Sequence, residues 1–308
     1  MEGVGEMTLN YTLRHLKYFL VAADTGSISQ AARDLNISQP SISAAINHLE
    51  REIGVELFLR KRPQGVALTA AGRDLIRATR QLLNHAKEFE VSAGSLVDAL
   101  AGEIHIACFV NIASTYLAAI LRSFYAAHPN VTVRCHIEDQ SEILSGISSG
   151  RYESAITFDL DLTNDFNVEV VRELMPRLVI SKHHPLAKRS RASLEQVIAE
   201  PFIVLDLPHS RNYFLSLFHN QGLRPNRIIP VSSFETIRSL VGNELGYSLL
   251  NIETRTAMNY DGTEVRYVNL REKLRPLKIC MVTLKGSSPR RAVTAFNKHV
   301  QTFFKKMN

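Results

Sequence analysis

From Ser27 to Arg60, apolar residues recur every three or four positions in two short runs separated by a polar break. That spacing predicts two short helices joined by a tight turn. Ser27 caps the first, in which Ile28, Ala31, Ala32 and Leu35 share a face, and Asn36 ends it. Ser38-Gln39-Pro40-Ser41 opens the second, with Pro40 tolerated in the first turn, and Ile42, Ala45, Ile46, Leu49 and Ile53 turn inward. Arg60-Lys61-Arg62, Pro63-Gln64-Gly65 and the β-favouring run Val66 to Thr69 predict a two-stranded wing with a glycine turn. Residues 69–99 then read as one long helix with Ala71, Leu75, Ala78, Leu82, Ala86 and Phe89 on a stripe. A small winged domain cannot cover a stripe of that length, so a partner helix is expected.

Beyond Gly102 the period changes. Residues 103–109, 131–137 and 154–158 alternate or run apolar like strands, with helices predicted over 114–127 and 141–149 between them. That βαβαβ order predicts an open α/β sheet. Further strands are expected at 177–181, 201–205, 247–251 and 278–284, and helices at 194–198, 210–221, 234–242 and 289–306. The expected organisation is a winged helix-turn-helix over residues 1–69, a linker helix over 70–100 and a two-lobed α/β domain over 101–308. Its lobe I takes 103–161 and 270–308, and its lobe II takes 162–269.

The outward face of the second short helix carries Gln39, Ser41, Ser43, Ala44, Asn47 and His48. Small and hydrogen-bonding groups there suit base edges in a major groove, where an acidic or apolar face would not. A plain helical hairpin has no use for such a stripe beside three cations. The expected DNA-contacting set is Ser27, Ser38, Gln39, Pro40, Ser41, Ser43, Ala44 and Asn47, with Arg60, Lys61 and Arg62 on phosphates. Overall charge argues this only weakly: the net +6 lies beyond residue 100, since residues 1–100 hold 11 Lys/Arg and 11 Asp/Glu. The local balance carries more, with six cations against the single acid Asp74 between Phe58 and Arg80.

The run from LRHLKYFLVAADTGSISQAARDLNISQPSISAAINHLEREIGVELFLR to LTAAGRDL resembles the winged helix-turn-helix of the LysR-type transcriptional regulators. The second half resembles the periplasmic-binding-protein-like effector domain of that family through PFIVLD, HPLA and VGNELGYSLL. Departures are Ala44-Ala45 where many members carry an Arg after Ser43, Glu153-Ser154 for the usual Asp-Leu, and Asn251 for a frequent Pro. The first favours apolar contact with thymine methyl groups over a guanine contact. The resemblance implies a homodimer formed through the linker helix, most often doubled to a homotetramer. It also implies binding to inverted-repeat promoter sites on double-stranded DNA, and an indirect effect on RNA polymerase as an effector re-angles the DNA-binding pairs.

Ligands of open α/β sheets bind beyond the carboxyl ends of the strands, which here means the cleft between lobes. The residues expected there are Phe109, Val110, Asn111, Ser114 and Thr115 after the first strand, and Thr157 and Phe158 at the third. His209, Ser210 and Arg211 on one loop, and Ser233, Phe234, Glu235 and Thr236 at another helix start, complete the set. With Arg211 as charge partner they predict a small anionic metabolite as effector. The alternative is a C-terminal domain that serves assembly without any small molecule.

No GxSxG, GxGxxG, P-loop or HExxH pattern appears, and no catalytic residue, cofactor or metal is expected. Cys108, Cys135 and Cys280 are odd in number, widely spaced and set among apolar residues. They read as reduced thiols of a cytoplasmic protein and not as a disulfide framework. No apolar run is long enough to span a bilayer, and the first ten residues lack a signal core, so neither membrane nor export is expected.

Overall fold

A computed structural model describes residues 10–61, 65–94 and 100–307 of the 308-residue chain. The chain divides into two compact units: one holds the residues up to Gly102 with Ser148–Arg151, the other Glu103–Ile147 and Tyr152 onward.

In the first unit, α1 (Leu13–Thr25), α2 (Ile28–Asp34) and α3 (Gln39–Ile53) enclose a core of Leu16, Phe19, Ala31, Ile42, Ile46 and Leu49. Local chemistry fixes each boundary. Thr12 and His15 form a capping box on α1, the Ser27 hydroxyl accepts from Gln30 N, and the Ser38 hydroxyl accepts from Ser41 N. Asn36, which ends the turn, has φ 54°, and Gly54 ends α3 at φ 78°. Strands β1 (Phe58–Lys61) and β2 (Gly65–Leu68) pair antiparallel, with Lys61 opposite Gly65. Glu50 ties α3 to the β1–β2 hairpin: its carboxylate accepts from Leu57 N at 2.7 Å and Phe58 N at 3.2 Å.

Helix α4 (Ala70–Gly94) follows. Its first turns bury Gly72, Ile76 and Thr79 against their own unit, while Ala78, Leu82 and Phe89 face outward. The stripe predicted from spacing is thus divided. Phe89 is 74% exposed and Leu82 47%, two helical turns apart on one side.

The second unit is built on two sheets and a two-stranded ribbon. Strands β3 (Gly102–Phe109), β4 (Val131–Glu138), β5 (Ser154–Phe158) and β6 (Phe166–Leu174) join the late β13 (Leu277–Leu284) in the order β4-β3-β5-β13-β6. Between β3 and β4 the chain runs through α5 (Val110–Ile112), a π-helical stretch (Ala113–Leu117) and α6 (Ala118–Ala127), and α7 (Gln140–Ser148) precedes β5. The second sheet has the order β11-β7-β12-β8, from β7 (Arg177–Ser181), β8 (Arg191–Ala192), β11 (Ser248–Leu250) and β12 (Val265–Leu270). Beside it β9 (Pro201–Leu205) pairs parallel with β10 (Arg227–Val231). Helices α8 (Ser210–His219) and α9 (Phe234–Gly242) belong to this lobe, and α10 (Arg291–Lys305) closes the chain.

One boundary differs from the sequence reading. Strand β6 lies in the lobe I sheet, antiparallel to β13, so lobe I extends to Leu174 and does not end near residue 161. This edge strand has mostly exposed residues and charges at Glu169, Arg172 and Glu173, so it offers no apolar run to detect. Strand β13 is antiparallel to β5 as well, which makes the sheet mixed and not wholly parallel.

The departure at Glu153 has a structural partner. Arg290, at the start of α10, donates from Nε to Glu153 Oε1 at 2.6 Å and from Nη2 to Oε2 at 2.5 Å and to the Glu103 carbonyl at 2.8 Å. The pair is buried, and Glu153 also accepts from His105 N at 3.1 Å. Cys108 and Cys280 are buried and Cys135 half-buried. Burial pushes the Cys280 thiol up to about 12. A hydrogen bond with Cys135 and then burial raise Cys108, and that bond draws Cys135 down.

Candidate functional site

Two sites emerge, one in each unit. On α3 the inward positions Ile42, Ala45, Ile46 and Leu49 are buried, and Ile53 is half-buried. They turn Gln39, Pro40, Ser41, Ala44 and Asn47 to solvent, with Ser43 half-buried at the margin. Three of the expected hydroxyls already hold helix ends: Ser27 caps α2, Ser38 caps α3, and Ser41 Oγ lies 2.7 Å from Ser38 Oγ. Arg60 and Lys61 are in β1, though their side chains lie outside the described residues, as does all of Arg62.

The second site is a small cavity at the strand ends where the lobes meet, with only about 20 Å³ of space open to the centre of a water-sized sphere. Phe109, at the end of β3, packs edge-on against Phe158, at the end of β5, with centroids 5.1 Å apart. Phe234 at the start of α9 and Ser210 at the start of α8 face them from lobe II, and Asn111 completes the expected residues in the wall. Sequence reasoning missed Leu160, Tyr213, Phe214 and Asn251, which also line it.

The other expected effector residues are outside this wall, each for a local reason. Arg211 is bound to Asp206 at 3.2 Å, five residues earlier on the same loop, and is not among the residues lining the cavity. Thr157 is fully buried and donates to Gln140 Oε1 at 2.5 Å, while Gln140 Nε2 donates to the carbonyls of Phe158 and Leu160. Ser114 and Thr115 donate back to Val110 and Asn111 carbonyls, and Val110 is half-buried beside them. Ser233 caps α9 by accepting from Thr236 N, and Glu235 pairs with Arg238.

His209 has a different part. It adopts φ 66°, costly for a residue with a Cβ, and its Nδ1 meets the carboxylate of Asp161, itself at φ 49°, while Nε2 lies 3.2 Å from Ser141 Oγ. This sets hydroxyl, imidazole and carboxylate in line. However, Asp161 is two-thirds exposed, whereas the aspartate of an acyl-transfer triad is buried, and neither Ser141 nor Asp161 lines the cavity. The three residues bridge lobe I to lobe II at the cleft.

Residues 13–73 match the family described as bacterial regulatory helix-turn-helix protein, lysR family, and residues 98–305 match the LysR substrate binding domain. The chain belongs to the LysR family of transcriptional regulators, and it joins a DNA-binding helix-turn-helix to a substrate-binding domain. Among solved structures it is similar to HinK, a LysR family transcriptional regulator from Pseudomonas aeruginosa. That likeness is 35% identity, covers 97% of this chain and 100% of the other, and has a TM-score of 0.65. Among curated proteins it is 30% identical to the HTH-type transcriptional regulator YnfL of Escherichia coli (strain K12), over 86% of this chain and 89% of that one. It is 27% identical to the hydrogen peroxide-inducible genes activator of Haemophilus influenzae, over 80% and 84% respectively. Among the described residues, no helix is long and apolar enough to cross a membrane.

Proposed function

We propose that this regulator reads inverted half-sites in double-stranded DNA through Gln39, Ser41, Ser43, Ala44 and Asn47, and that a small effector held in the lobe I–lobe II cleft governs that binding. The observation that carries the reading is the α3 face: solvent-exposed, uncharged, rich in hydrogen-bonding groups and held rigidly against the wing by Glu50. Arg60, Lys61 and Arg62 in the wing supply phosphate contacts that carry no sequence information. The protein works in the cytoplasm and acts on RNA polymerase indirectly, without catalysing a reaction.

The match of residues 98–305 to the LysR substrate binding domain supports a ligand-binding domain over one that serves assembly alone. A gel shift on the DNA upstream of its own gene tests the reading. A retarded band should weaken steeply as salt rises, because phosphate contacts release counterions. A band insensitive to salt, or absent at low salt, would count against it.

The outward Leu82 and Phe89 of α4 support pairing with the same helix of a second copy, and two such pairs would make the tetramer. Leu82→Asp combined with Phe89→Asp should convert dimers to monomers in analytical ultracentrifugation while leaving the helix content of each chain unchanged. Retention of the full assembly would assign dimerisation to another surface.

A further inference from the structure

The two lobes are joined covalently at two crossovers, residues 175–176 between β6 and β7 and residues 271–276 between β12 and β13. Bonds at those crossovers reinforce them. Asn251 Nδ2 donates to the Leu174 carbonyl at 2.9 Å, and Arg275 donates to the carbonyl of Asp159 at 3.1 Å and to its carboxylate at 3.2 Å. His209 makes a different connection, because neither it nor its partners belong to a crossover. It stands at the N-cap of α8 in lobe II, and its imidazole is held by two lobe I residues. Nδ1 meets the Asp161 carboxylate, three residues beyond β5, and Nε2 lies 3.2 Å from Ser141 Oγ in the first turn of α7.

Lobe I holds its side of this joint stiffly. Gln140, next to Ser141, is fully buried, accepts from Thr157 and donates to the Phe158 and Leu160 carbonyls. Leu160 precedes Asp161, Ser210 follows His209, and both line the cavity. The imidazole therefore ties the lobes together one residue from the cavity wall on either side. The space within that wall is about that of a water molecule, so a metabolite enters only after the lobes part. Lobes that turn about the crossovers to admit it must give up the His209 contacts.

Those contacts sit near energetic balance. His209 at φ 66° and Asp161 at φ 49° both hold the left-handed conformation, which is unfavourable for a residue with a Cβ. The Asp161 carboxylate is largely exposed and the imidazole partly so, and their bond gains little over bonds to water. A weak bond kept in place with two unfavourable backbone conformations is readily released.

We propose that His209 is a latch: its bonds to Asp161 and Ser141 hold the lobes shut over the cavity, and their release opens the cleft. Its service as a gate for an effector rests on the reading of this cleft as the effector site. Hydrogen–deuterium exchange of the full-length protein carrying His209→Gly, followed by mass spectrometry, tests the latch. Glycine accepts the left-handed conformation freely, so this change relieves backbone strain while it removes the imidazole, and the two effects carry opposite signs. No side-chain bond caps α8, so the helix keeps its N-terminal bonds without the imidazole. Segments holding Phe158–Leu160 and Tyr213–Phe214, on the two sides of the cavity, should both exchange about fivefold faster than in the parent as opening becomes more frequent. Segments of α3 and β3 should keep the parent rate, which separates opening from a general loss of stability.

Unchanged or slower exchange in the cavity wall overturns the latch, and so does faster exchange confined to α8. Asp161→Gly relieves φ 49° in the same way and should shift both segments in the same direction, so it decides the matter alone if the histidine variant does not fold. The double variant should exchange no faster than His209→Gly, because the two changes break one contact; additive effects would overturn the pairing. Exchange is read on the protein with nothing added. Its failure therefore leaves the effector reading of the cleft standing, and a cleft that takes no effector leaves the latch standing.

Discussion

Ala44→Glu is expected to lower affinity for the upstream DNA by about 100-fold or more, roughly 3 kcal/mol, while thermal stability stays within about 0.5 kcal/mol of the parent. Ala44 is exposed in the middle of the α3 face, between the buried Ile42 and Ala45, so the new side chain meets no packed neighbour. In the bound state it would stand among base-edge acceptors and phosphates, both hostile to a carboxylate, and would occupy the space assigned to a thymine methyl group. Fluorescence anisotropy with a labelled duplex measures the loss, and thermal melting measures the fold. Unchanged affinity would remove this face of α3 from the DNA interface.

Arg290→Ala is the substitution expected to cost most in stability, about 3 kcal/mol or more. It strips Glu153 of a bidentate partner where the two side chains are 8% and 12% exposed, and a lone buried carboxylate is costly. It also removes the donor to the Glu103 carbonyl, at the start of β3. For a domain of this size such a loss corresponds to a fall in Tm of roughly 6–12 °C. Arg290→Met with Glu153→Met should recover part of it, because no charge is then left buried. Calorimetric melting of both variants checks the order, and a single variant as stable as the parent would show the pair to be dispensable.

The same residues show why some of the structure was legible in sequence and some was not. The α3 core was readable because Ile42, Ile46 and Leu49 recur at helical spacing, and the partners they need lie within some 40 residues. Strand β10 was hidden by Pro230, which a ribbon edge tolerates and a central strand does not. Strand-end reasoning found Phe109, Phe158 and Phe234, since that rule needs only the element order. It could not find Leu277, which comes to the cavity because β13 returns beside β5. Arg211 pairs with Asp206 and lies outside the cavity wall. Asn251 did carry a signal: a polar residue directly after the apolar run Tyr247–Leu250, where a Pro is frequent in the resembling family.

The placement of β13 bears on how the polypeptide matures during synthesis. This strand sits between β5 and β6, inside the first lobe's sheet, yet the whole second lobe is translated before it. As the chain leaves the ribosome, β6 therefore has nothing to pair with, while residues 177–270 already hold every strand of their own sheet. The later-numbered half of the cleft can thus complete its sheet first, while the earlier half keeps an open edge at β5 until Leu284 has emerged.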